Sequence, residues 1–330
     1  MRARNESIWQ NLLDLFRFYN GRLLLKIMTV KFQRSIIEEG LLHLVYFFEG
    51  HCVSSRETLE TFRRTHHIRK TTIAGNTWCW CTGGVGSQTI VILPGAGAFG
   101  TLGTEVMFPV IAGLEKLFRV ISFGYPSEAA TVRELVDGIH AVLTEQHIQQ
   151  ASFLGHSLGS LITLCFLSTF PQNVTSAIIA NFALPSPSHM RSLKTALSLI
   201  VRLPRWVTSR VVKAQFRRSL QDYPDDFWRA YLTGKEAESS FQHMTTHYRC
   251  MLDFVQHWHI SQERFASWHG RALILESDDE RDVSPQERAN TAALFVNPSM
   301  HVFHHAGHLS FITHTQEFTD TVTRFLTEEQ

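Results

Sequence analysis

A serine stands between two glycines in the sequence Gly155-His156-Ser157-Leu158-Gly159. An apolar run at 151–154, typical of a strand, precedes it, and a run at 158–170, typical of a helix, follows it. A serine on such a strand-to-helix turn is presented to solvent, and the flanking glycines let neighbouring backbone pass closely. Ser157 is therefore the candidate nucleophile.

A serine hydroxyl needs a base to accept its proton, and the base needs an acid to orient it. Histidines follow the last predicted strand at His304, His305 and His308. We predict His308 as the base, because Gly307 provides a turn before it and a helical segment begins just after it. His304 and His305 remain alternatives.

The orienting acid is expected in the loop after the predicted strand 272–276. This loop contains four carboxylates, at Asp278, Asp279, Glu280 and Asp282. One of them would orient the histidine and the others would be solvated. Spacing alone does not choose among them.

The glycine-rich loop at 94–100 follows an early buried strand. We expect the backbone N–H groups of Ala96 and Leu158 to form an oxyanion hole, which stabilises negative charge that develops on a carbonyl oxygen. Glycines at 95, 97 and 100 also match a dinucleotide-binding loop, but the acidic residue expected about 20 positions later is missing. No cofactor is expected. Cys79-x-Cys81 has no second cysteine pair, so we predict core residues there and no metal.

Strand-like and helical segments alternate through most of the chain. Segments 71–74 and 77–81 predict a hairpin that turns at Gly75-Asn76. Further strands are predicted at 89–93, 118–123, 151–154, 174–180, 272–276 and 300–303. This alternation predicts an α/β fold with a mostly parallel central sheet and helices on both faces. We expect a helical extension at 1–61, a core at 62–184 and 268–330, and a helical cap inserted at 185–267.

Composition and charge limit the partners. The chain has 330 residues and a formal net charge of +1, so nucleic acid is not expected. No apolar run reaches the ~18 residues of a transmembrane helix. Five cysteines without framework spacing favour a reducing compartment, and we predict a cytoplasmic protein. Residues 185–219 contain eight Lys or Arg and no acid, which indicates either a solvated face or attraction to an anionic substrate or a membrane surface.

The chain from about Phe62 onward resembles the α/β-hydrolase superfamily. The stretches that carry the resemblance are 91–95, 155–159, 268–280 and 306–308, and within the superfamily the chain is similar to a maspardin-like branch. The resemblance implies an acid three positions after the small residue that ends the strand. With Ser277 as that residue the acid is Glu280, a departure from the commoner Asp, which keeps Asp279 as the second candidate. Ser160 stands where a second glycine is commoner.

The expected function is a serine hydrolase that cleaves a carboxylic ester or thioester with an apolar acyl part. Acyl transfer or cyclisation could use the same residues, because the sequence does not identify the second nucleophile. An alternative is an α/β-hydrolase fold used only for binding, with the N-terminal extension as the surface for a partner protein. The expected partner of the site is a small acyl substrate, for which an anionic or a lipid-like compound is an option. Peripheral contact with a membrane is a further option.

Overall fold

The computed structural model describes residues 55–96, 100–210, 226–238, 241–280 and 283–328. All of them belong to one compact unit, which spans residues 53–330. Most of the predicted N-terminal extension lies outside the described residues, as does part of the glycine-rich loop. The predicted domain boundaries stay predictions.

One eight-stranded sheet forms the centre of this unit, with the strand order β1-β2-β4-β3-β5-β6-β7-β8. The strands are β1 (Arg69–Ile73), β2 (Asn76–Gly83), β3 (Thr89–Leu93), β4 (Arg119–Gly124), β5 (Ala151–His156), β6 (Val174–Ala180), β7 (Arg271–Ser277) and β8 (Ser299–Phe303). The pairs β1–β2 and β2–β4 are antiparallel, and β3 to β8 pair in parallel. The predicted α/β class with a mostly parallel sheet is confirmed.

The hairpin turns one residue earlier than predicted. Ile73 pairs with Asn76, so Ala74 and Gly75 are the two turn residues. Both have a positive φ, 49° and 83° respectively, as a tight hairpin with the right-handed strand twist requires. Asn76 is buried and belongs to β2, so the sequence prediction of a turn at Gly75-Asn76 was wrong.

Helices cover both faces of the sheet. Around the sheet lie α1 (Ser55–Thr65), α2 (Thr101–Glu105), α3 (Phe108–Leu114), α4 (Val132–Glu145) and α5 (Leu158–Thr169). The helical segment between β6 and β7 contains α6 (Pro187–Ile200), α7 (Asp226–Glu238), α8 (Phe241–His257) and α9 (Gln262–Phe265). The chain then adds α10 (Pro285–Ala292), α11 (Ser310–Thr313) and α12 (Thr315–Thr327). None of the helices in the described ranges has the length and apolarity needed to span a bilayer.

The helix after the candidate nucleophile lies deep in the core. Every residue of α5 from Leu158 to Leu167 is buried, because β3, β5 and β6 cover one side and α4 and α9 the other. A helix that is apolar on all sides is stable only in such a setting. The packing of α5 in the core therefore fixes the position of the turn that precedes it.

Contacts of several kinds attach the helical segment between β6 and β7 to the rest of the unit. The Trp228 ring of α7 stacks on Phe108 of α3 with ring centroids 5.1 Å apart, and Trp228 is buried. At the start of α6, the Ser186 N–H donates to Glu287 of α10 at 2.9 Å. These contacts hold α6 and α7 to the helices that flank the sheet.

Candidate active site

Ser157 lies on the sharp turn between β5 and α5. Its φ is 52° and its ψ is −115°, a region that residues with a Cβ rarely adopt and that costs about 1–3 kcal/mol. The Ser157 N–H donates to the Ala180 carbonyl at the end of β6, at 2.9 Å. The strained backbone is held by the neighbouring strand, and the side chain is half-buried at the carboxyl edge of the sheet.

The two glycines around Ser157 allow this turn to pack. A Cβ on Gly155 would overlap the carbonyl of Gly159, and a Cβ on Gly159 would overlap the carbonyl of Leu93 in β3. Any larger residue would therefore push α5 away from β3 and β5. The spacing of glycine, serine and glycine follows from this close approach of helix and strands.

Ser160 fills the place of a second glycine without loosening the turn. Its Oγ donates to the Gly155 carbonyl at 2.7 Å and accepts from the Ala180 N–H at 3.1 Å. The residue is fully buried. The hydroxyl thus joins β5 and β6 directly below the candidate nucleophile.

His308 and Glu280 are brought together at the same edge. His308 Nδ1 is hydrogen bonded to Glu280 Oε1. The Glu280 side chain is 5% exposed and that of His308 is 49% exposed. Because an ionised carboxylate only accepts, the Nδ1–H of His308 is the donor, and the basic nitrogen of the neutral ring is then Nε2.

The Glu280 carboxylate is held in its charged form. Burial raises its pKa, but the hydrogen bond from His308, the positive charge of that ring when it is protonated and a hydrogen bond from Asn181 together bring the pKa below its ordinary value. Asn181 Nδ2 donates to Glu280 Oε2 at 2.9 Å. Glu280 is therefore ionised at neutral pH and accepts a hydrogen bond on each oxygen.

Asp279, the second candidate for the acid, has other partners. Its Oδ1 accepts from Ser277 Oγ at 2.6 Å and from the Gly307 N–H at 2.8 Å. These bonds lower its pKa despite partial burial. Asp279 thereby ties the loop after β7 to the loop after β8.

Asp278 makes a parallel link further along the same loops. It accepts from the His304 ring at 2.9 Å and from the His305 N–H at 2.9 Å. The His304 ring is therefore bonded to Asp278 and not to Glu280, and His305 contacts Asp278 through its backbone. Asp282 lies outside the described residues.

His156, next to the candidate nucleophile, supports the backbone of the candidate base. Its Nε2 donates to the His308 carbonyl at 2.8 Å, and its ring meets Phe311 edge-on with centroids 4.8 Å apart. Burial, with the nearby His308, lowers the pKa of His156 to about 3. The ring is therefore neutral, and its one N–H is used to hold the loop after β8.

The loop after β3 passes beside Ser157. A Cβ placed on Gly95 would lie 2.9 Å from His156 Nδ1 and 3.4 Å from Ser157 Cβ. Ala96 follows Gly95, and Leu158 is the first residue of α5, whose N–H has no intrahelical acceptor. Gly95, the neighbour of Ala96, thus lies beside the candidate nucleophile, and Leu158 follows it in the chain, while residues 97–99 lie outside the described residues.

Sequence reasoning missed two residues that hold the acid loop. Arg288 of α10 donates to the carbonyls of Ser277 at 2.8 Å and Glu280 at 3.3 Å. No sequence signal identifies this arginine, because the sequence of α10 does not say which of its residues face the loop after β7. Asn181 does carry a signal, since it directly follows the predicted strand 174–180 and so lies at the edge where parallel strands end.

No group of three metal-ligating side chains occurs in the part of the chain that the structure describes. Cys79 and Cys81 are both buried in β2. Desolvation raises the pKa of Cys81 to about 12.

The chain is similar to a known protein family and to one curated relative. Residues 88–315 match the alpha/beta hydrolase fold family. A putative carbamate hydrolase RutD from Yersinia enterocolitica is 28% identical over 104 residues, which covers 29% of this chain and 36% of that protein. The chain thus spans about a third of the length of this curated relative.

Solved structures share the fold at low sequence identity. A hydrolase from Pseudomonas aeruginosa has a TM-score of 0.65 and 14% identity, covering 79% of this chain and 99% of its own. An enol-lactonase from Burkholderia xenovorans has a TM-score of 0.62 and 17% identity, covering 79% and 100%. A bromoperoxidase from Bacillus anthracis has a TM-score of 0.61 and 17% identity, covering 80% and 100%. The strand order, the turn at Ser157 and the match over most of the sheet lead to one assignment: the chain belongs to the alpha/beta hydrolase fold family.

Proposed function

We propose that this protein is a serine hydrolase that cleaves a carboxylic ester or thioester through an acyl-enzyme on Ser157. The observation that carries the proposal is the hydrogen bond between His308 Nδ1 and the buried Glu280 carboxylate, at the sheet edge where Ser157 lies. A buried, ionised carboxylate that fixes one tautomer of a half-exposed histidine is the arrangement that a general base requires.

The first half of the reaction forms the acyl-enzyme. Ser157 Oγ attacks the carbonyl carbon while His308 Nε2 takes the hydroxyl proton. The carbonyl oxygen becomes an oxyanion, which accepts hydrogen bonds from the backbone N–H groups of Ala96 and Leu158. When the tetrahedral intermediate collapses, the C–O or C–S bond breaks, and His308 gives its proton to the departing alcohol or thiol.

The second half consumes water. His308 Nε2 removes a proton from water, whose oxygen attacks the acyl carbon, and the bond to Ser157 Oγ then breaks as the proton passes to the serine. Glu280 stays ionised in both halves and stabilises the imidazolium that forms twice. If an amine, alcohol or internal hydroxyl replaces water, the same residues give acyl transfer or cyclisation.

The relatives support carbonyl chemistry without specifying the substrate. The partial curated match is described as a carbamate hydrolase and one structural neighbour as an enol-lactonase, and both names denote attack at a carbonyl carbon. We propose a reducing compartment such as the cytoplasm, which agrees with the free thiols of the described cysteines 79, 81, 165 and 250.

Hydrolysis of p-nitrophenyl butyrate and of a butyryl thioester tests the proposal. Ser157→Ala should lower kcat/KM by about 10³-fold or more, because the nucleophile is removed. The matched control is Ser168→Ala, near the far end of the same helix, where the hydroxyl only accepts from Arg264 at 3.3 Å. The control should keep wild-type activity.

The outcomes separate the remaining possibilities. Activity in Ser157→Ala equal to wild type would refute the proposal. An acyl adduct on Ser157 that accumulates and is released by an added alcohol or amine, but not by water, would identify an acyl transferase. A folded wild type that neither turns over nor forms an adduct would identify a fold used for binding.

A further inference from the structure

Asn181 lies at the carboxyl end of β6, between the loops that present the acid and the base. The residue is 2% exposed and has a φ of 48°, which asparagine tolerates better than most residues. Its N–H donates to the Leu275 carbonyl of β7 at 2.8 Å. This bond extends the pairing of β6 with β7 by one residue and turns the side chain towards the loops.

The Asn181 side chain joins these two loops. Nδ2 donates to Glu280 Oε2 at 2.9 Å in the loop after β7 and to the Gly307 carbonyl at 3.2 Å in the loop after β8. Oδ1 accepts from Ser310 Oγ at 2.6 Å at the start of α11. The amide orientation is fixed, because the reverse would place Oδ1 against a carboxylate and a carbonyl.

These bonds determine which way the Glu280 carboxylate faces. One oxygen is bonded to His308 Nδ1 and the other to Asn181 Nδ2, so rotation of the carboxylate would break two hydrogen bonds at once. Asn181 also fixes the carbonyl of Gly307, the residue immediately before His308. The acid and the base are thereby held to one buried amide.

We propose that Asn181 is a positioning residue of this site, which aligns the carboxylate that orients His308. The inference rests on the proposed serine hydrolase function. We expect substitution of Asn181 to lower kcat with little effect on KM, because its side chain contacts the acid and the loop of the base and not the nucleophile.

Asn181→Asp tests this role with almost no change in shape. The new carboxylate would face Glu280 and the Gly307 carbonyl, so kcat for p-nitrophenyl butyrate at pH 8 should fall about 10- to 100-fold while KM changes less than about twofold. As the pH falls, protonation of the new acid restores a donor, and the ratio of variant to wild-type kcat should rise. In Asn181→Ala the ratio of variant to wild-type kcat should also be low, and it should not rise at low pH.

The matched control is Asn173→Asp, at the opposite end of β6. Asn173 Nδ2 donates to the Gln149 carbonyl at 2.6 Å, far along the strand from the site. Its kcat should equal that of wild type at every pH. Wild-type kcat in Asn181→Asp, or a loss with the same pH-independent ratio in Asn181→Asp and Asn181→Ala, would overturn the inference.

A second readout does not require turnover. The proton between His308 and Glu280 should give a downfield NMR resonance in wild type that is absent in Glu280→Gln. The resonance should shift or disappear in Asn181→Asp and persist in Asn173→Asp. If wild type lacks hydrolase activity, the proposed function fails while this resonance still tests Asn181, and an unchanged resonance in Asn181→Asp would refute its positioning role.

Discussion

Glu287 of α10 is the buried anion that anchors the start of α6. One oxygen accepts from the Ser186 N–H at 2.9 Å and from His189 Nδ1 at 2.8 Å, and the other accepts from Ser284 Oγ at 2.9 Å. The residue is 6% exposed. Burial raises the pKa of this carboxyl, but the hydrogen bonds outweigh it and lower the pKa to about 2.

The contribution of ionised Glu287 to the free energy of unfolding follows from that pKa. One pKa unit corresponds to about 1.4 kcal/mol, so a pKa of about 2 against an ordinary 4.5 gives ionised Glu287 a contribution of about 3 kcal/mol at neutral pH. Because the pKa is lower in the folded protein than in the unfolded chain, the contribution is complete above pH 4.5. It is lost progressively as the pH falls from about 4.5 to about 2.

Glu287→Gln measures this contribution. The free energy of unfolding in urea at pH 7 should fall by up to about 3 kcal/mol. The difference from wild type should shrink to less than half near pH 3, because Glu287 is then protonated in the unfolded chain while it is still mostly ionised in the folded protein. Hydrogen exchange should show that α6 loses protection first. The control is Glu317→Gln, whose ion pair with His301 leaves the Glu317 side chain 47% exposed and should change stability little.

Two results would refute this reasoning. A Glu287→Gln variant as stable as wild type at pH 7 would mean that the carboxylate is not stabilised by its partners. A destabilisation that stays constant from pH 7 to pH 3 would mean that the effect comes from packing and not from charge.

Three further predictions concern other parts of the fold. Gly159→Ala should abolish hydrolysis and lower the melting temperature, because its Cβ overlaps a β3 carbonyl, whereas Gly234→Ala in α7, where nothing lies within 4 Å of the Cβ, should be neutral or stabilising; equal effects would contradict the packing account. Trp228→Ala should cost about 3–5 kcal/mol in urea unfolding, through loss of its stacking on Phe108, and a cost below about 1 kcal/mol would show that α7 is not docked as described. Cys81, with a pKa of about 12, should resist iodoacetamide at pH 8 until the protein is unfolded. Alkylation of Cys81 in the native protein, detected by mass spectrometry, would contradict this prediction.

The sheet and the turn at Ser157 were predictable because buried parallel strands are continuous apolar runs. The predicted strands 89–93 and 174–180 match β3 and β6 at both ends, and the other predicted strands differ from the structure by one or two residues at one or both ends. The hairpin was misplaced by one residue, since Asn76 looks like a turn residue but contributes a buried side chain to β2. Local composition could not distinguish these two roles.

The contacts among the loop carboxylates could not be predicted from spacing. Glu280, Asp279 and Asp278 stand within three positions of one another, and the structure gives each a different partner across the β8 loop. The role of Asn181 depends on contacts with residues 99 and 126 positions away in the chain. Such long-range pairings are set by the order of β6, β7 and β8 in the sheet, which one sequence does not specify.

The proposed function requires that Ser157 is an activated nucleophile. Its most direct test is incubation of the folded protein with a fluorophosphonate at pH 8, followed by intact-mass measurement and peptide mapping. We expect a single adduct on Ser157, slower formation in Glu280→Gln, and no adduct in Ser157→Ala. A folded wild type that gains no adduct, or an adduct that persists in Ser157→Ala, would contradict it.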